Sequence, residues 1–338
     1  MTAEWLGVGA APGEITYGSF LIDGVDIPLV LAAGRADGPL LVLHCAQHPT
    51  EYSGSAMIAA LLRELDLTAL RGTVAVLPIC NIPFIVRTRQ ADAYERQAES
   101  IRAAEGTPRT NINRCWPGVE GGTWNEQLTH AVSRGLFAGA DAVLDYHSCR
   151  TCDPNFTSYV APSPESRALA LAFGTVAVDE APVEGHFPGQ LHRRVPIDVG
   201  TPAILIEMAP TSRRVQWHRV QEAKRGALNV MKHLGMLDGE PVRPPLQVVF
   251  HRGSEQINLA AGQMGFACFH QPEVNAVKEG DLIAEVRSLN DFSVVESHTA
   301  PCDSGLASCG VAESHLILPG EELATLQPGA EIIRNRDH

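Results

Sequence analysis

The chain has few charged residues and no excess of basic ones. Of its 338 residues only 19% are charged, and the formal net charge is −13. A nucleic-acid partner is therefore not expected, because backbone phosphates repel such a surface unless it carries a local basic patch. No such patch stands out, since the arginines between positions 87 and 114 are interleaved with acidic residues.

Long hydrophobic runs are also missing. No stretch approaches the roughly 20 apolar residues that a membrane-spanning helix needs. The segment Met1–Trp5 lacks the basic start and the apolar centre of a secretory signal. We therefore expect a cytoplasmic protein that has no membrane partner.

The eight cysteines do not have the spacing of a zinc ribbon. Cys45, Cys80 and Cys268 lie in apolar, strand-like runs, which indicates reduced core residues. Cys149 and Cys152 have the spacing of a redox motif, but they do not begin a helix after a thioredoxin-like strand. A redox role is therefore not favoured.

The composition is that of a globular protein with a large core. The chain is 45% apolar and long enough for two domains. Strand-like runs alternate with helical patterns up to residue 238, which predicts an α/β domain over residues 1–238, with a mixed twisted sheet flanked by helices. After a Pro-rich connector, residues 246–338 alternate short apolar runs with Gly turns, which predicts a smaller β-rich barrel or sandwich.

Polar side chains with metal-binding chemistry follow the buried strands of the first domain. His48 and Glu51 come after the run Leu40–Cys45, and His147 ends a later strand-like run. Ligand sites collect at the carboxyl ends of strands in open α/β sheets, and a His and a carboxylate three positions apart can reach one metal ion. Asp145, two residues before His147, could orient its imidazole.

Each of these residues also has a structural alternative. Glu51 could be an acidic residue in the first turn of a helix, and a single His is more often a structural residue. Glu207 interrupts an apolar strand, and a buried carboxylate needs a partner, a raised pKa or a function. Arg114, in a polar turn, suits either a substrate carboxylate or a structural salt bridge.

The candidate residues belong to an ordered set of segments: His48-Pro49-Thr50-Glu51, Arg87-Thr88-Arg89, Asn113-Arg114 with Pro117-Gly118, Asp145-Tyr146-His147-Ser148, and Glu207. Taken together and in this order, they resemble the motifs of the succinylglutamate desuccinylase and aspartoacylase family, relatives of the zinc carboxypeptidases. The resemblance implies a zinc carboxypeptidase-like sheet. The chain departs from the family pattern at Pro49, Asn111 and Ala209, and in a longer interval between Arg89 and Asn113, which should border the pocket.

The resemblance also implies roles for individual residues. One zinc ion per chain would be held by His48, Glu51 and His147, with Asp145 orienting His147. Glu207 would act as general base and then as general acid. Arg89 would stabilise the oxyanion, and the substrate would be bound by Arg87, Asn113 and Arg114. The expected reaction is hydrolysis of the amide bond of an N-acyl amino acid or a similar small acylated amine.

Two other functions stay open at this point. A zinc carboxypeptidase that acts on small peptides would use the same metal, and a non-catalytic binding protein could have the same fold. The full set of ligands and base argues against the second. Assembly into a homo-oligomer is a further hypothesis.

The C-terminal segment contains a weak internal repeat. Residues 277–284 are echoed by residues 317–324, which suggests two similar hairpin units and resembles the lipoyl or biotinyl-carrier fold. Because residues 288–293 between its halves contain no lysine, we do not expect a carrier role.

Overall fold

The computed structural model describes residues 3–48, 51–90, 111–148, 155–184, 189–208, 215–270, 274–309 and 316–335, without the side chains of residues 87–90 and Cys309. The sequence predicts an exposed helix or a mobile loop over residues 90–110, and residues 91–110 of this segment lie outside the described part. Cys149 and Cys152 lie outside it as well.

Within these ranges the chain forms twenty strands and six α-helices. The strands are β1 Ala3–Trp5, β2 Val8–Ala10, β3 Ile15–Ile22, β4 Val25–Ala33, β5 Ala36–Cys45, β6 Arg71–Leu77, β7 Ala142–His147, β8 Phe156–Val160, β9 Ala177–Ala181, β10 Ala203–Glu207, β11 Leu246–His251, β12 Ile257–Ala260, β13 Gly265–Phe269, β14 Asn275–Val277, β15 Leu282–Arg287, β16 Val294–Thr299, β17 Ser304–Cys309, β18 Leu316–Ile317, β19 Glu322–Pro328 and β20 Glu331–Arg334. The helices are α1 Ser53–Glu64, α2 Ile82–Gln90, α3 Trp124–Gly135, α4 Pro164–Phe173, α5 Leu191–Asp198 and α6 Trp217–His233.

One large sheet organises the molecule. Its ten strands lie in the order β20-β11-β9-β8-β10-β7-β5-β6-β4-β3. The central strands β6, β5, β7 and β10 are parallel, whereas β8 is antiparallel to β10 and β4 is antiparallel to β6. The predicted mixed sheet flanked by helices is therefore confirmed.

The central strands are buried on both faces, so their side chains supply two cores. In β5, Leu41 and Leu43 pack in the core beneath α1, α4 and α6, while Leu40 and Val42 pack in the core beneath α3 and α5. This division follows from the two-residue period of a strand. The continuous apolar run of β5 is what a strand covered on both faces requires.

Gly54 allows α1 to lie close to the sheet. A Cβ atom at this position would lie 2.5 Å from the Cβ of Tyr146 and 2.7 Å from Sγ of Cys45. Only glycine permits this approach without displacing β5 or β7. The glycine thus fixes the start of α1, and with it Glu51, against the ends of these strands.

The C-terminal part contains two four-stranded sheets, ordered β12-β19-β17-β14 and β16-β15-β13-β18. The internal repeat corresponds to two matching turns. Gly280 and Gly320 both have φ of +87°. In the first turn the backbone N–H of Lys278 donates to Asp281, and in the second that of Leu318 donates to Glu321, each over 2.8 Å. The predicted β-rich region is confirmed.

Two strands that follow the Pro-rich connector belong to the large sheet. β11 pairs in parallel with β9, and β20 pairs antiparallel with β11. The division into residues 1–238 and 246–338 stays a prediction. The large sheet contains strands from both sides of this proposed boundary.

Several elements differ from the sequence-based expectation. The Gly, Pro and His content of residues 181–194 predicts a loop, but α5 begins at Leu191 and continues through Pro196. The strand-to-loop pattern of residues 79–83 predicts only a loop after β6, but α2 begins at Ile82. β8 and β9 have no counterpart among the strands that the sequence indicates. None of the helices in the described ranges is long and apolar enough to cross a membrane.

Candidate metal centre

Three neighbouring parallel strands end at the same place. β7 lies between β5 and β10, and in this register His44 pairs with Asp145, and His147 with Glu207. At the end of β5, Ala46 has a left-handed φ of +55°, a strained conformation that is enriched at functional sites. This turn directs Gln47 and His48 across the ends of the strands.

His48, Glu51 and His147 meet at this edge. Their ligand atoms all lie within 4.8 Å of one another. Glu51 lies between the two imidazoles, with Oε1 2.8 Å from Nδ1 of His48 and Oε2 3.0 Å from Nδ1 of His147. The backbone N–H of Ser148 also donates to Oε2 of Glu51, over 3.1 Å. The carboxylate is therefore held between the two rings.

The opposite nitrogen of each ring faces a hydrogen-bond acceptor. Nε2 of His48 lies 3.1 Å from Oδ1 of Asn111, and Nε2 of His147 lies 2.9 Å from Oδ2 of Asp145. With a cation bound between the rings and Glu51, Asn111 and Asp145 would hold the proton of each ring on Nε2. Both Nδ1 lone pairs are then available to a cation that Glu51 also faces.

Asp145 connects the centre to the protein interior. This fully buried carboxylate also contacts Nδ1 of His44 at 2.8 Å and accepts hydrogen bonds from Nε2 of Gln47 at 2.9 and 2.7 Å. Gln47 is in turn fixed by Nε1–H of Trp116, which donates to its Oε1 over 2.9 Å. Burial alone would raise the pKa of Asp145, but His147 and His44 outweigh it and lower this pKa.

The charges of the centre suit a cation. Burial alone would lower the pKa of His147, but Asp145 and Glu51 raise it well above its usual value. Burial would likewise raise the pKa of Glu51, but His48 and His147 lower it. Two imidazole nitrogens and one carboxylate are the ligands of catalytic zinc sites that keep an open position. The three residues therefore fit a zinc ion.

Glu207 lies beside this cluster, paired with His147 in the β7–β10 register. Its Oε2 is enclosed and accepts no hydrogen bond from any described residue. Burial raises the pKa of Glu207 to about 8; His147 opposes this shift, and Glu51 and Asp145 add to it. A bound cation would favour the ionised form, so the unsatisfied carboxyl is a second feature that fits a metal.

The Succinylglutamate desuccinylase/Aspartoacylase catalytic domain model matches residues 37–234, which include the whole cluster and Glu207. The chain belongs to this family. Members of the family are deacylating hydrolases, so the chain is placed among hydrolases. No curated protein matches it.

Solved structures of family members share the fold over nearly the whole chain. Three of them are a succinylglutamate desuccinylase from Silicibacter sp. TM1040 (22% identity, 94% of this chain and 95% of that one, TM-score 0.62), the product-bound ectoine utilization protein EutE from Ruegeria pomeroyi (22%, 96% and 98%, 0.63) and an aspartoacylase family protein from Mesorhizobium loti (18%, 99% and 99%, 0.63). At these identities the likeness establishes the fold alone.

Of the residues that the family resemblance implies for substrate binding and oxyanion stabilisation, the structure describes the side chains of Asn113 and Arg114. Arg87 and Arg89 lie in α2, but their side chains fall outside the described part. Oδ1 of Asn113 accepts from the backbone N–H of Leu191 over 2.9 Å, and its Nδ2 lies 3.5 Å from Nε2 of His147. Arg114 donates through NH1 to the carbonyl of Asn113 over 2.8 Å. Asn113 thus joins the metal centre to the start of α5.

A buried arginine of α5 is not among the site residues that the sequence indicates. Arg193 is only 4% exposed, and its Nε has no partner among the described residues. Burial lowers the pKa of Arg114 to about 10, and the nearby charge of Arg193 contributes to this shift. Asp179 in β9 forms an ion pair with Arg252, although burial still raises the Asp179 pKa. The adjacent acids Asp179 and Glu180 interrupt residues 175–181, so the sequence contains no clear signal of a strand or of this charged group.

Replacing Asp145 by asparagine is expected to weaken zinc binding by about 10–100-fold, the usual effect of removing a carboxylate that orients a liganding His. Competition with a chelator of known affinity measures the change. Asp238→Asn is the matched control, because Asp238 is 94% exposed and its ion pair with Arg71 contributes little. An unchanged affinity in a folded Asp145→Asn protein would remove Asp145 from this role.

The metal-free protein should lose stability as the pH rises from about 5 to 8. The folded-state pKa of Glu207, about 8, exceeds its usual value of 4.5, so the folded chain holds this proton more tightly than the unfolded chain. The resulting stabilisation is complete below pH 4.5 and is lost as the pH passes through 8, by up to about 1.4 kcal/mol per pH unit. Titration of His147 acts in the same direction.

The contribution of Glu207 can be isolated with Glu207→Gln. Urea unfolding of both proteins in the presence of chelator, at pH 5, 6, 7 and 8, should give a shallower pH dependence for the variant. Equal slopes in the two proteins would show that the Glu207 pKa is not raised.

Proposed function

We propose that the chain is a zinc-dependent deacylase that hydrolyses the amide bond of an N-acyl amino acid or a similar small acylated amine. One observation carries the proposal: two Nδ1 atoms and a carboxylate face one point, and the enclosed carboxyl of Glu207 lies beside them. Family membership supports the reaction class.

His48, Glu51 and His147 would hold the zinc ion. Bound there, zinc supplies Lewis acidity, which lowers the pKa of water and polarises a carbonyl oxygen. Asp145 and Asn111 keep the two imidazoles in the required tautomer. The Asp145 contacts with His44 and Gln47 limit rotation of the His147 ring, so the ligand geometry is fixed before metal binds.

Glu207 would move the proton. A carboxylate at this position accepts a proton from the attacking water while the oxygen of that water bonds to the amide carbon. Glu207 then donates the same proton to the amide nitrogen as the C–N bond breaks, which gives a carboxylate and a free amine. Its end-of-strand position beside His147 supports this role, since the two residues pair in the β7–β10 register.

The cationic residues near α5 would recognise a carboxylate on the substrate. Arg114 and Arg193 lie close enough for their charges to interact, and Arg193 is buried with an unused Nε donor. Two such guanidinium groups favour an anion between them, because each offers planar donors that match a carboxylate. Binding roles for Asn113 and Arg87, oxyanion stabilisation by Arg89, a cytoplasmic location and an oligomeric assembly remain predictions.

A substrate panel tests the function. Zinc-loaded protein is incubated with N-acyl amino acids of different acyl length, with their C-terminal carboxamide analogues, and with dipeptides that have a free N-terminus. Released amine is quantified. We expect turnover of the N-acyl amino acids, and at least about tenfold lower kcat/KM for the carboxamides, because an arginine–carboxylate pair is lost.

Two results would contradict the proposal, and a third would contradict its substrate-recognition part. Cleavage of dipeptides with no turnover of N-acyl amino acids would identify a carboxypeptidase. Absence of amine release across the panel, with zinc bound at one ion per chain, would favour a non-catalytic binding protein. Equal activity towards acids and carboxamides would remove Arg114 and Arg193 from substrate recognition.

A further inference from the structure

A cavity lies along α6. Its volume is about 490 Å³, which is within the size range of small-molecule sites. The walls come from the end of α4, from one side of α6, from the connector that includes Val242, and from Val274. None of the proposed metal ligands or catalytic residues lines it, so it is separate from the site described above.

Apolar side chains form the floor of this cavity. They include Phe173, Leu228 and Val242. Phe173 lies directly against Gly226 of α6, where an added Cβ would come within 2.4 Å of the ring. The absence of a side chain at Gly226 therefore lets the ring lie against the helix. An apolar surface of this kind favours the hydrocarbon part of a ligand.

Buried hydrogen bonds fix the shape of the cavity. Asn229 is 5% exposed, and its Nδ2 donates to the carbonyls of Phe173 and Val242 over 3.3 and 2.8 Å. The backbone N–H of Val242 donates back to Oδ1 of Asn229 over 2.9 Å. One amide thus joins α4, α6 and the connector. The cavity is preformed, which reduces the entropy that a ligand must lose on binding.

The charges around the cavity are mainly positive. Its one acidic side chain, Glu222, is already engaged by NH1 of Arg219 at 2.9 Å and by Nδ2 of Asn155 at 3.2 Å. Arg225 and Lys232 line the same cavity, and neither has an acidic partner in the described ranges. They are seven residues apart, which places their Cα atoms on one side of α6, about 10 Å from each other, a spacing that two long side chains can span towards one anionic group.

This local excess of positive charge contrasts with the chain as a whole, which has a formal charge of −13. Two cations beside an apolar floor attract an anion and exclude a cation of similar size. A neutral apolar molecule would use the floor but not the charges. Inorganic phosphate would use the charges but not the floor.

We propose that this cavity binds a small organic anion with an apolar body, its anionic group paired with Arg225 and Lys232 and its hydrocarbon part against Phe173 and Leu228. The proposal is independent of the function proposed for the metal centre. The cavity is a binding site beside the catalytic sheet and takes no part in the hydrolytic step.

Octanoate, octanol and inorganic phosphate are suitable probes for calorimetry with the full-length zinc-loaded protein. Octanoate should bind saturably and more tightly than octanol or phosphate, and added NaCl should weaken octanoate binding but not octanol binding. In a variant with Arg225→Gln and Lys232→Gln, octanoate should bind about 5–10-fold more weakly, and octanol should be unaffected.

A matched control removes two exposed basic residues elsewhere, by Arg134→Gln and Lys278→Gln, and should retain the wild-type octanoate affinity. Anomalous diffraction from crystals soaked in 8-bromo-octanoate should place the bromine against Phe173. Thermal unfolding confirms that each variant is folded.

Several outcomes would overturn the proposal. These are no saturable octanoate binding at millimolar concentration, an equal loss of affinity in the control variant, bromine located outside the cavity, or phosphate binding as tightly as octanoate. Octanoate that competes with substrate at the metal centre and is insensitive to the Arg225 and Lys232 changes would also overturn it.

Discussion

Replacing Glu207 by glutamine is expected to lower kcat by about 10³-fold without changing the zinc content. Glutamine keeps the size of the side chain but cannot accept the proton of the attacking water, and general base catalysis of this kind contributes 10²–10⁴-fold. The metal should stay bound, because none of its three proposed ligands is altered. A loss of rate at full zinc occupancy separates a proton-transfer role from a structural one.

The measurement combines steady-state kinetics on the best N-acyl amino acid with metal analysis of the same preparation. Glu240→Gln makes the same chemical change at an exposed position and should retain full activity. If Glu207→Gln turned over substrate at the wild-type rate, another group would have to be the base.

Replacing His147 by alanine is expected to remove zinc from the purified protein. One of the two nitrogen ligands is lost, so affinity should fall by more than the 10–100-fold expected for an orienting carboxylate. Activity should fall with zinc content and recover only partly at high zinc concentration. Asp145 also loses a partner, which should reduce stability because a buried charge is costly.

Zinc stoichiometry after dialysis measures this effect, and far-ultraviolet circular dichroism confirms that the variant is folded. His218→Ala changes an exposed His at the start of α6 and should bind zinc normally. Retention of one tightly bound zinc ion in a folded His147→Ala protein would exclude His147 as a ligand.

The part of the site that lies at strand ends could be predicted from the sequence. The apolar runs that became β5, β7 and β10 were recognisable, and parallel neighbours bring their carboxyl ends together. His48, Glu51, His147 and Glu207 could therefore be assigned to one place before any distance was available. The family resemblance, now established by the match over residues 37–234, gave them an order and roles.

The rest of the site depends on contacts between residues far apart in the chain, which a single sequence does not indicate. Arg193 lies in a short polar helix that contains Pro196, and such a segment is typical of a surface loop. β9 includes adjacent acidic residues, Asp179 and Glu180, which obscure a half-buried strand. Their partners Arg252 and His251 come from β11 and the turn after it, far along the chain. No local pattern predicts these ion pairs.

One end of the Asn113 amide is engaged by the fold, and its role in substrate binding stays a prediction. Its motif suggested a residue that binds substrate. Its Oδ1 is already occupied by the backbone N–H of Leu191, and only Nδ2 faces His147. Such a distinction depends on the direction of one amide group, which neither composition nor spacing reports.

The pairing of β20 with β11 bears on how the protein is made. β11 can pair with β20 only after the whole β-rich region between the two strands has been translated. Until then β11 is an open sheet edge on the nascent chain, and open edges recruit other polypeptides. A chain that terminates before Glu331 would therefore be prone to aggregate, although it contains every residue of the metal centre.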